Sequence, residues 1–192
     1  MRIVFARETV AGIWEEAQPL FAAHWREIAH YPDIPFAPDR EMYVQLDESG
    51  LLRVFTVRLD GQLAGYNAFF VKPHPHYSGS LQAAQDVLFL HPDCRNAGIG
   101  IRFIDWCDGE LAAEGVQVVT QHLKAAHNHG PLLERLGYEL MDLIYTRRLD
   151  HGHERSNDHW QRAGERGGLE AAGPGCAEDP GAAAGTGQAA HA

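Results

Sequence analysis

The sequence DVLFLHPDCRNAGIG at residues 86–100 constrains the fold more than any other stretch of this chain. Its apolar run, VLFL, is typical of a strand that is buried on both faces of a sheet. Apolar residues then recur at four-residue steps, at Ile99, Phe103, Cys107 and Leu111. This spacing predicts a helix that packs one face against the sheet. VQVVTQHL at 116–123 predicts a second buried strand. The order strand, turn, helix, strand then predicts two parallel strands joined by a right-handed crossover.

The residues before this unit predict antiparallel strands. The runs LLRVFTVRL at 51–59 and QLAGYNAFFV at 62–71 are rich in β-branched and aromatic residues, and the Asp-Gly pair between them is a strong two-residue hairpin signal. RIVFARE at 2–8 predicts a further short strand, and KPHPHYSGS at 72–80 predicts a loop.

Helices are predicted between and after these strands in the chain. Apolar residues in the segment 10–28 fall at three- and four-residue steps, which predicts an amphipathic helix that is kinked or divided near Pro19. REMYVQL at 40–46 predicts another turn or two. NHGPLLERLGY at 128–138 predicts a short helix, and YELMDLIYTRRL at 138–149 predicts a closing strand. The sequence therefore predicts a mixed α/β domain.

The composition changes sharply after Asp150. Residues 151–192 are dominated by glycine, alanine and charged residues, with almost no large aliphatic side chain. Such a segment cannot bury enough apolar surface to offset its ordering entropy. We therefore expect one folded domain at 1–150 and a disordered Gly/Ala-rich tail at 151–192.

Charge and cysteine usage narrow the classes of function. The formal net charge of −10 disfavours nucleic-acid binding and is compatible with cationic partners such as amines. The three cysteines, Cys94, Cys107 and Cys176, are scattered, which fits a reducing cytoplasm better than a disulfide framework. No apolar stretch approaches the roughly 18 residues of a membrane span, and the first residues lack the pattern of a secretory signal. The 12 histidines show no set of partners at zinc-site spacing, so no metal is expected.

Three kinds of ligand loop compete for the hexamer RNAGIG at 95–100. A P-loop requires a lysine that is absent here, and a dinucleotide fingerprint requires a third glycine where Phe103 stands. The third pattern, [RQ]-x-x-G-x-[GA], is matched by Arg95, Gly98 and Gly100. A helix that begins at glycines presents amides without intrahelical partners, which favour a pyrophosphate, and Arg95 adds a positive charge. The alternative is a tight strand-to-helix turn in which the glycines serve packing alone, but the position between a buried strand and an amphipathic helix favours the ligand.

Residues 84–149 resemble the acetyl-CoA-binding half of the GNAT superfamily of N-acetyltransferases. The resemblance lies in DVLFLHPDCRNAGIG, the crossover helix, VQVVTQ and LLERLGYE, and the first half has the same order of elements. The spacing HPHY…D…FL.P..R..G.G is particularly similar to GNAT proteins of bacteriophages and prophages. This resemblance implies an α/β GNAT fold, in which a mixed central β-sheet of antiparallel N-terminal strands and a parallel central pair is flanked by helices.

The resemblance also implies acetyl-CoA as co-substrate and assigns its contacts. In the family the pantetheine arm lies in a gap beside the strand that precedes the loop, here at Leu88, Phe89 and Leu90. A backbone amide there, for which Leu90 is the candidate, stabilises the oxyanion. The pyrophosphate contacts fall on Arg95, Asn96, Ala97, Gly98, Ile99, Gly100 and Ile101.

Acetyl transfer to an amine requires a neutral nucleophile, so a base must remove a proton. The resemblance implies a carboxylate on the strand, and Asp86 stands nearest that position; the alternative is that Asp86 binds substrate or caps the strand end. Strand alternation predicts that Asp86, Leu88 and Leu90 share one face. His76 and Tyr77 are predicted to line the acceptor pocket, with a surface turn as the alternative.

One position departs from the family pattern. Many GNAT proteins carry a tyrosine four residues before the Gly-aromatic pair, where it can protonate the leaving thiolate, but this chain has Leu133. Tyr138, Asn128 or water are the candidates to replace it, or the thiolate leaves unassisted.

The leading hypothesis is an acetyl-CoA-dependent N-acetyltransferase that transfers acetyl to a primary amine of a small molecule or protein by direct attack in a ternary complex. The alternative is a non-catalytic acyl-CoA-binding phage accessory or regulatory protein, and a third option is transfer of another acyl group. No nucleic-acid or membrane partner is expected. The sequence does not identify the acceptor, and it leaves the oligomeric state open, a homodimer included.

Overall fold

The computed structural model describes residues 1–31, 33–95 and 98–150. Its principal helices and strands are, in chain order, β1 (Ile3–Glu8), α1 (Val10–Ile28), α2 (Arg40–Glu48), β2 (Leu52–Leu59), β3 (Gln62–His74), β4 (Tyr77–Leu90), α3 (Ile99–Ala113), β5 (Val118–Thr120) and α4 (Gly130–Glu134). None of the helices in these ranges is long and apolar enough to cross a membrane. The chain divides into one compact unit, Met1–Met141, and a second, Asp142–Ala192. The predicted tail at 151–192 lies outside the described residues, so the domain division at residue 150 stays a prediction.

The first unit is built on a five-stranded sheet in the order β1-β2-β3-β4-β5. The first four strands pair antiparallel, and β4 pairs with β5 in parallel. The predicted mixed sheet is therefore confirmed. The parallel pair lies at one edge of the described sheet rather than at its centre, because no strand is found beyond β5 in the described residues.

Helices cover both faces of this sheet, because its strands direct alternate apolar side chains to each side. We call the two sides the α3 face and the α1 face. The α3 face is built from fully buried side chains of β2, β3 and α3: Phe55, Phe69, Phe103, Cys107 and Leu111. The α1 face packs helix residues against strand residues: Ile13, Trp14, Ala17, Leu52 and Val54. The apolar stripe predicted for α3 is thus confirmed.

The first hairpin follows the prediction. Asp60 and Gly61 have φ angles of 49° and 90°, which the two-residue turn between β2 and β3 requires.

Helix α1 begins at a Thr9 cap, whose side chain accepts a hydrogen bond from the Gly12 N–H at 3.1 Å. The helix is continuous through Pro19, so it is not divided there, and the alternative of a kink stays a prediction. A proline removes one N–H donor, and the buried apolar stripe on both sides of it holds the helix together.

The loop predicted at 72–80 is also wrong. β3 continues to His74 and β4 begins at Tyr77, so a second tight hairpin replaces the loop. The prolines of this segment indicate a loop because proline cannot donate to a ladder. Pro73 is accommodated at an irregularity of the register, next to His74, where a lost ladder bond is tolerated.

The C-terminal strands are shorter than predicted. β5 has 3 residues, and its Val118 is 43% exposed, so the long buried strand predicted there is wrong. Residues 138–149 form no strand, and their apolar side chains, such as those of Leu140 and Leu149, are exposed. The alternating pattern of this segment is a local signal, whereas a strand also needs a partner edge long enough to supply ladder bonds.

Gly65 of β3 allows an unusually close approach of β4. A Cβ on this residue would clash with the carbonyl oxygen of Phe89 and would lie 3.0 Å from the Cα of Leu90. Both of these contacts are with backbone, which cannot rotate away. Glycine is therefore required here for the packing of β3 on the carboxyl end of β4.

We expect Gly65→Ala to lower the free energy of unfolding by about 2 to 3 kcal/mol, because the added methyl group overpacks the strand pair. The matched control is Gly79→Ala on β4, where a Cβ would meet nothing within 4 Å. That variant should change stability by no more than about 0.5 kcal/mol. Urea denaturation followed by circular dichroism measures both values, and equal midpoints for the two variants would contradict the close approach.

Candidate active site

A β-bulge in β4 sets the direction of Asp86. Gln85 and Val87 pair with adjacent positions of β3, so Asp86 between them has no partner in the register. An extra residue in one strand interrupts the alternation of its side chains. Asp86 points to the α1 face, where the hydroxyl of Tyr43 on α2 donates a hydrogen bond to its Oδ2 at 2.7 Å.

The prediction that Asp86, Leu88 and Leu90 share one face is therefore wrong. Leu88 and Leu90 pack into the core of the α3 face. Val87, next to Asp86, packs into the α1 face. The bulge places two consecutive side chains on the same side, and a single sequence carries no sign of it.

β4 and β5 separate after a short parallel contact, whose last pair is Ala84 with Thr120. Just beyond this point, the buried side chain of Gln85 spans the opening, and its Oε1 accepts a hydrogen bond from the His122 N–H at 2.8 Å. The last residues of β4 thus border a gap with no paired strand on this side among the described residues.

The backbone of Leu90 faces this gap. The N–H of His91 donates to the carbonyl of Ala64, and this bond flanks the pair formed by Leu90 and its partner on β3. A pair in that position exchanges no hydrogen bonds itself, so the N–H and C=O of Leu90 point away from β3. Its carbonyl accepts a hydrogen bond from Arg95 Nε at 2.8 Å. By alternation, the backbone groups of Leu88 also point into the gap.

Helix α3 begins beside this gap with uncapped amides. Gly98 has a φ of 69° and makes no side-chain cap, and the first intrahelical bond of the helix runs from the Arg102 N–H to the Gly98 carbonyl at 3.2 Å. The amides before Arg102 have no partner within the helix, and they carry the positive end of its dipole. These are the amides of Ile99, Gly100 and Ile101. Asn96 and Ala97, also predicted to contact the pyrophosphate, lie outside the described residues.

The guanidinium of Arg95 already forms an ion pair within the protein. Its Nη2 bonds both carboxylate oxygens of Glu27 on α1, at 2.8 and 2.7 Å, and its guanidinium lies 5.6 Å from the centre of the Phe89 ring. The positive charge of Arg95 is thus compensated by Glu27. The first amides of α3 supply further positive potential at the loop, beside this paired charge.

A polar cluster lies among apolar side chains on the α1 face near Asp86. His24 Nδ1 and the Tyr66 hydroxyl are 2.9 Å apart. Burial lowers the pKa of His24 to about 4, so its ring is neutral at pH 7. Burial also raises the pKa of Tyr43 above its usual range, and its hydrogen bond to Asp86 adds to this effect. The pKa of Tyr66 is raised by burial first, then by the nearby Tyr43 and Asp86, so both tyrosines keep their protons.

His76 and Tyr77 lie apart from this cluster. They occupy the turn between β3 and β4, where Tyr77 is 65% exposed and the His76 N–H bonds His74 Nδ1. Tyr77 precedes Asp86 by nine positions on one strand, which is about 30 Å at about 3.3 Å per residue. The structure therefore does not bring these two predicted residues to Asp86.

The candidates for a general acid have structural contacts. Leu133 is buried on α4. Asn128 Oδ1 accepts a hydrogen bond from the Gly130 N–H at 2.8 Å, and the Tyr138 hydroxyl donates to the carboxylate of Asp108 at 2.8 Å. Neither polar side chain is directed by these contacts toward the amide of Leu90.

In the part of the chain that the structure describes, no group of three or more His, Cys, Asp or Glu side chains is placed to hold a metal ion. Cys107 is fully buried on the α3 face. Burial raises the pKa of its thiol, so it remains protonated.

Four residues of the site were not predicted from the sequence: His24, Glu27, Tyr43 and Tyr66. His24 had a signal, because it falls seven positions after Ala17 on the buried stripe of α1. The others had none, since their partners are 42 to 68 positions away in the chain.

The sequence matches the model of the acetyltransferase (GNAT) family over residues 12–138. No curated protein matches the chain.

Solved acetyltransferase structures have the same fold. A ribosomal-protein-alanine N-acetyltransferase from Brucella melitensis biovar Abortus 2308 is 20% identical with a TM-score of 0.60, and the match covers 77% of this chain and 99% of that one. An aminoglycoside acetyltransferase, HMB0005, from an uncultured soil metagenomic sample is 16% identical with a TM-score of 0.62, over 78% and 99% of the two chains. A predicted acetyltransferase with acetyl-CoA from Clostridium acetobutylicum is 12% identical with a TM-score of 0.60, over 79% and 100%. Together with the family match, these similarities confirm the predicted fold.

The stability of the folded protein is expected to depend on pH through the carboxyl group of Asp108. Burial raises its pKa to about 6, against the opposing hydrogen bond from Tyr138. The folded protein then keeps a proton that the unfolded chain releases near pH 4, so the stabilisation is largest below about pH 4 and is lost as the pH rises to about 6. We expect Asp108→Asn to be more stable than the wild type at pH 8 by about 1 kcal/mol, after discounting for solvent, and to lose this advantage below about pH 5.

Urea denaturation between pH 5 and 8 measures this difference. The matched control is Glu110→Gln, an exposed position on the same helix, which should show no such pH-dependent gain. A wild type that is more stable than Asp108→Asn at pH 8 would mean that the hydrogen bond from Tyr138 outweighs burial.

Proposed function

The chain belongs to the acetyltransferase (GNAT) family, and from that premise we propose that it is an acetyl-CoA-dependent N-acetyltransferase. It transfers the acetyl group to a primary amine by direct attack in a ternary complex. The observation that carries this proposal is the gap beyond Ala84 and Thr120, into which the Leu90 amide points next to the uncapped start of α3.

The donor site combines this gap with the start of α3. The extended arm of acetyl-CoA runs beside the end of β4, where the backbone groups of Leu88 supply ladder-like hydrogen bonds. The carbonyl of Leu90 is bonded to Arg95, which leaves its N–H for the acetyl group, and the backbone of Phe89 faces β3. The pyrophosphate binds at the loop from Arg95 to Ile101, chiefly through the amides from Gly98 onward, because Arg95 is already paired with Glu27. When bound, acetyl-CoA supplies the acetyl group as a thioester and carries away the electron pair of the broken C–S bond as a thiolate.

The Leu90 amide and Asp86 act on opposite sides of the reaction. The N–H of Leu90 stabilises negative charge that develops on the carbonyl oxygen, an effect typically worth about 3 kcal/mol. Asp86 is the base that accepts a proton from the attacking amine, directly or through water. Tyr43 positions it, because its hydroxyl fixes Oδ2 from the α1 face.

In the described residues, we assign no side chain as the acid for the leaving thiolate. Leu133 replaces the tyrosine of many family members, and the hydroxyl of Tyr138 is bonded to Asp108. Water therefore protonates the thiolate after it leaves.

The same leucine favours one alternative, a non-catalytic acyl-CoA-binding protein with an accessory or regulatory role. Acetyl-CoA binding without acceptor-dependent CoA release would identify it. The closer similarity to proteins of bacteriophages and the cytoplasmic location stay predictions.

Gly98→Ala tests the donor site. Its φ of 69° strains any other residue, so the variant should lose about 1 to 2 kcal/mol of stability. We also expect acetyl-CoA affinity, measured by titration calorimetry, to fall at least about tenfold, because the first amides of α3 are displaced. The control is Gly115→Ala at the other end of α3, where φ is 88°. It has the same kind of strain and should keep its affinity; an equal loss in both variants would contradict the anion site.

Asp86→Asn tests the base. We expect the rate of acceptor-dependent CoA release to fall by about a hundredfold or more, with acetyl-CoA affinity unchanged, since the amide cannot accept the proton. Asp105→Asn, exposed on α3, is the matched control and should retain the wild-type rate. The base assignment fails if Asp86→Asn keeps the wild-type rate from pH 6 to 9.

A further inference from the structure

A cavity of about 190 Å³ lies on the α1 face, between α1, α2 and the strands β2 to β4. Six aromatic side chains line it: Trp14, Phe21, Trp25, Phe36, Tyr43 and Tyr66. Ala68, Val54 and Val87 of the sheet lie at its floor. Neither the family match nor the donor site accounts for this cavity.

The aromatic walls hold one another in place. Trp25 stacks on Phe36 with ring centres 5.0 Å apart, and Phe21 meets Tyr66 edge-on at 5.3 Å. Trp14 also meets Phe21 edge-on, at 5.3 Å. Such rings offer both faces and edges to a further ring, which is the arrangement that aromatic groups prefer. The cavity is therefore pre-formed for a flat apolar group.

The cavity is electrically neutral at pH 7. Among the side chains that line it in the described residues, the titratable ones are His24, Tyr43 and Tyr66. Burial lowers the pKa of His24 to about 4 and raises the pKa of both tyrosines, so all three are uncharged. A carboxylate or a second ammonium group on a ligand would lose its hydration here without an opposite charge to replace it. Acidic amino acids and polyamines are poor occupants for this reason.

One end of the cavity meets the base. Tyr43 lines the wall, and its hydroxyl bonds Asp86 at 2.7 Å. Val87, the neighbour of Asp86 beyond the bulge, lines the floor. A ligand with its apolar body in the cavity can thus direct a single amine toward the carboxylate.

We propose that this cavity is the specificity pocket for the acceptor, and that the acceptor is a monoamine whose nitrogen is joined by a short chain to one aromatic ring. This inference rests on the proposed acetyltransferase activity. The size agrees, because an engineered apolar cavity of about 150 Å³ holds benzene, and about 190 Å³ leaves room for a ring and a short linker.

The first experiment compares amines as acceptors in a CoA-release assay: 2-phenylethylamine, ethylamine, spermidine and glucosamine. We expect kcat/KM for 2-phenylethylamine to exceed that for ethylamine by about ten- to a hundredfold, the gain from burying one aromatic group. Spermidine and glucosamine should be no better than ethylamine. Binding of 2-phenylethylamine should also change the fluorescence of Trp14 and Trp25, which gives a readout that does not require turnover.

Ala68→Leu fills the cavity from its floor. It should lower the ratio of kcat/KM for 2-phenylethylamine to that for ethylamine by at least about tenfold. Its matched control is Ala84→Leu, on the adjacent strand and the same face but outside the lining, which should keep the preference. Because a buried leucine can disturb folding, Phe36→Ala is a second test. Phe36 is 42% exposed, and its removal opens the cavity to solvent and should lower the preference in the same way.

The outcomes separate the pocket from the activity. Turnover of spermidine or glucosamine in preference to 2-phenylethylamine would overturn the pocket and leave the acetyltransferase proposal standing. Saturable binding of 2-phenylethylamine that Ala68→Leu or Phe36→Ala weakens, without CoA release, would support the pocket and overturn the activity. If 2-phenylethylamine is neither bound nor acetylated, the pocket proposal is overturned.

Discussion

The β-bulge at Asp86 is the constraint on which the arrangement of the site depends. With regular alternation, the Asp86 side chain would lie on the α3 face with Leu88 and Leu90, among fully buried apolar residues. A carboxylate there would lose its hydration without a partner. The extra residue sends it to the α1 face, where Tyr43 supplies a hydrogen bond, while the backbone of Leu90 still faces the gap beside β5. One strand therefore presents a carboxylate to one side and an amide to another within five residues.

The sequence predicts well those features that depend on neighbours in the chain. The stripe of α3, the turn at Asp60 and the glycine-rich start of α3 follow from local periodicity and backbone geometry. The bulge does not, because two-against-one pairing is decided jointly by β3 and β4. The contact of Arg95 with Glu27 spans 68 positions and could not be inferred without the fold. The segment at 138–149 shows the converse error. Its alternation is strand-like, but it forms no strand in the part of the chain that the structure describes, because pairing between distant segments decides the outcome.

Arg95 links the two halves of the proposed site. Its Nε holds the carbonyl of Leu90, and its Nη2 holds Glu27 near the end of α1. His24 and Trp25, which line the aromatic cavity, come just before Glu27 on the same helix. The end of β4 and the wall of the aromatic cavity therefore share one support. A rigid fork such as guanidinium suits this role better than lysine, because it can bond a carbonyl and a carboxylate in fixed directions at once.

In the proposed reaction, the charges of the chain affect the amine acceptor and the anionic donor differently. A net charge of −10 attracts an amine, which is a cation in solution because its pKa is about 10.4, and it repels an anionic donor. This repulsion is screened beyond about 8 Å at physiological salt, so short-range amide donors at α3 can bind a pyrophosphate where the overall field opposes it. On the other side, a neutral aromatic cavity disfavours the ammonium form and favours the free amine. In the proposed reaction the proton is then accepted where the cavity meets a charge. Among the described residues this charge is Asp86, which accepts a hydrogen bond from Tyr43 of the lining.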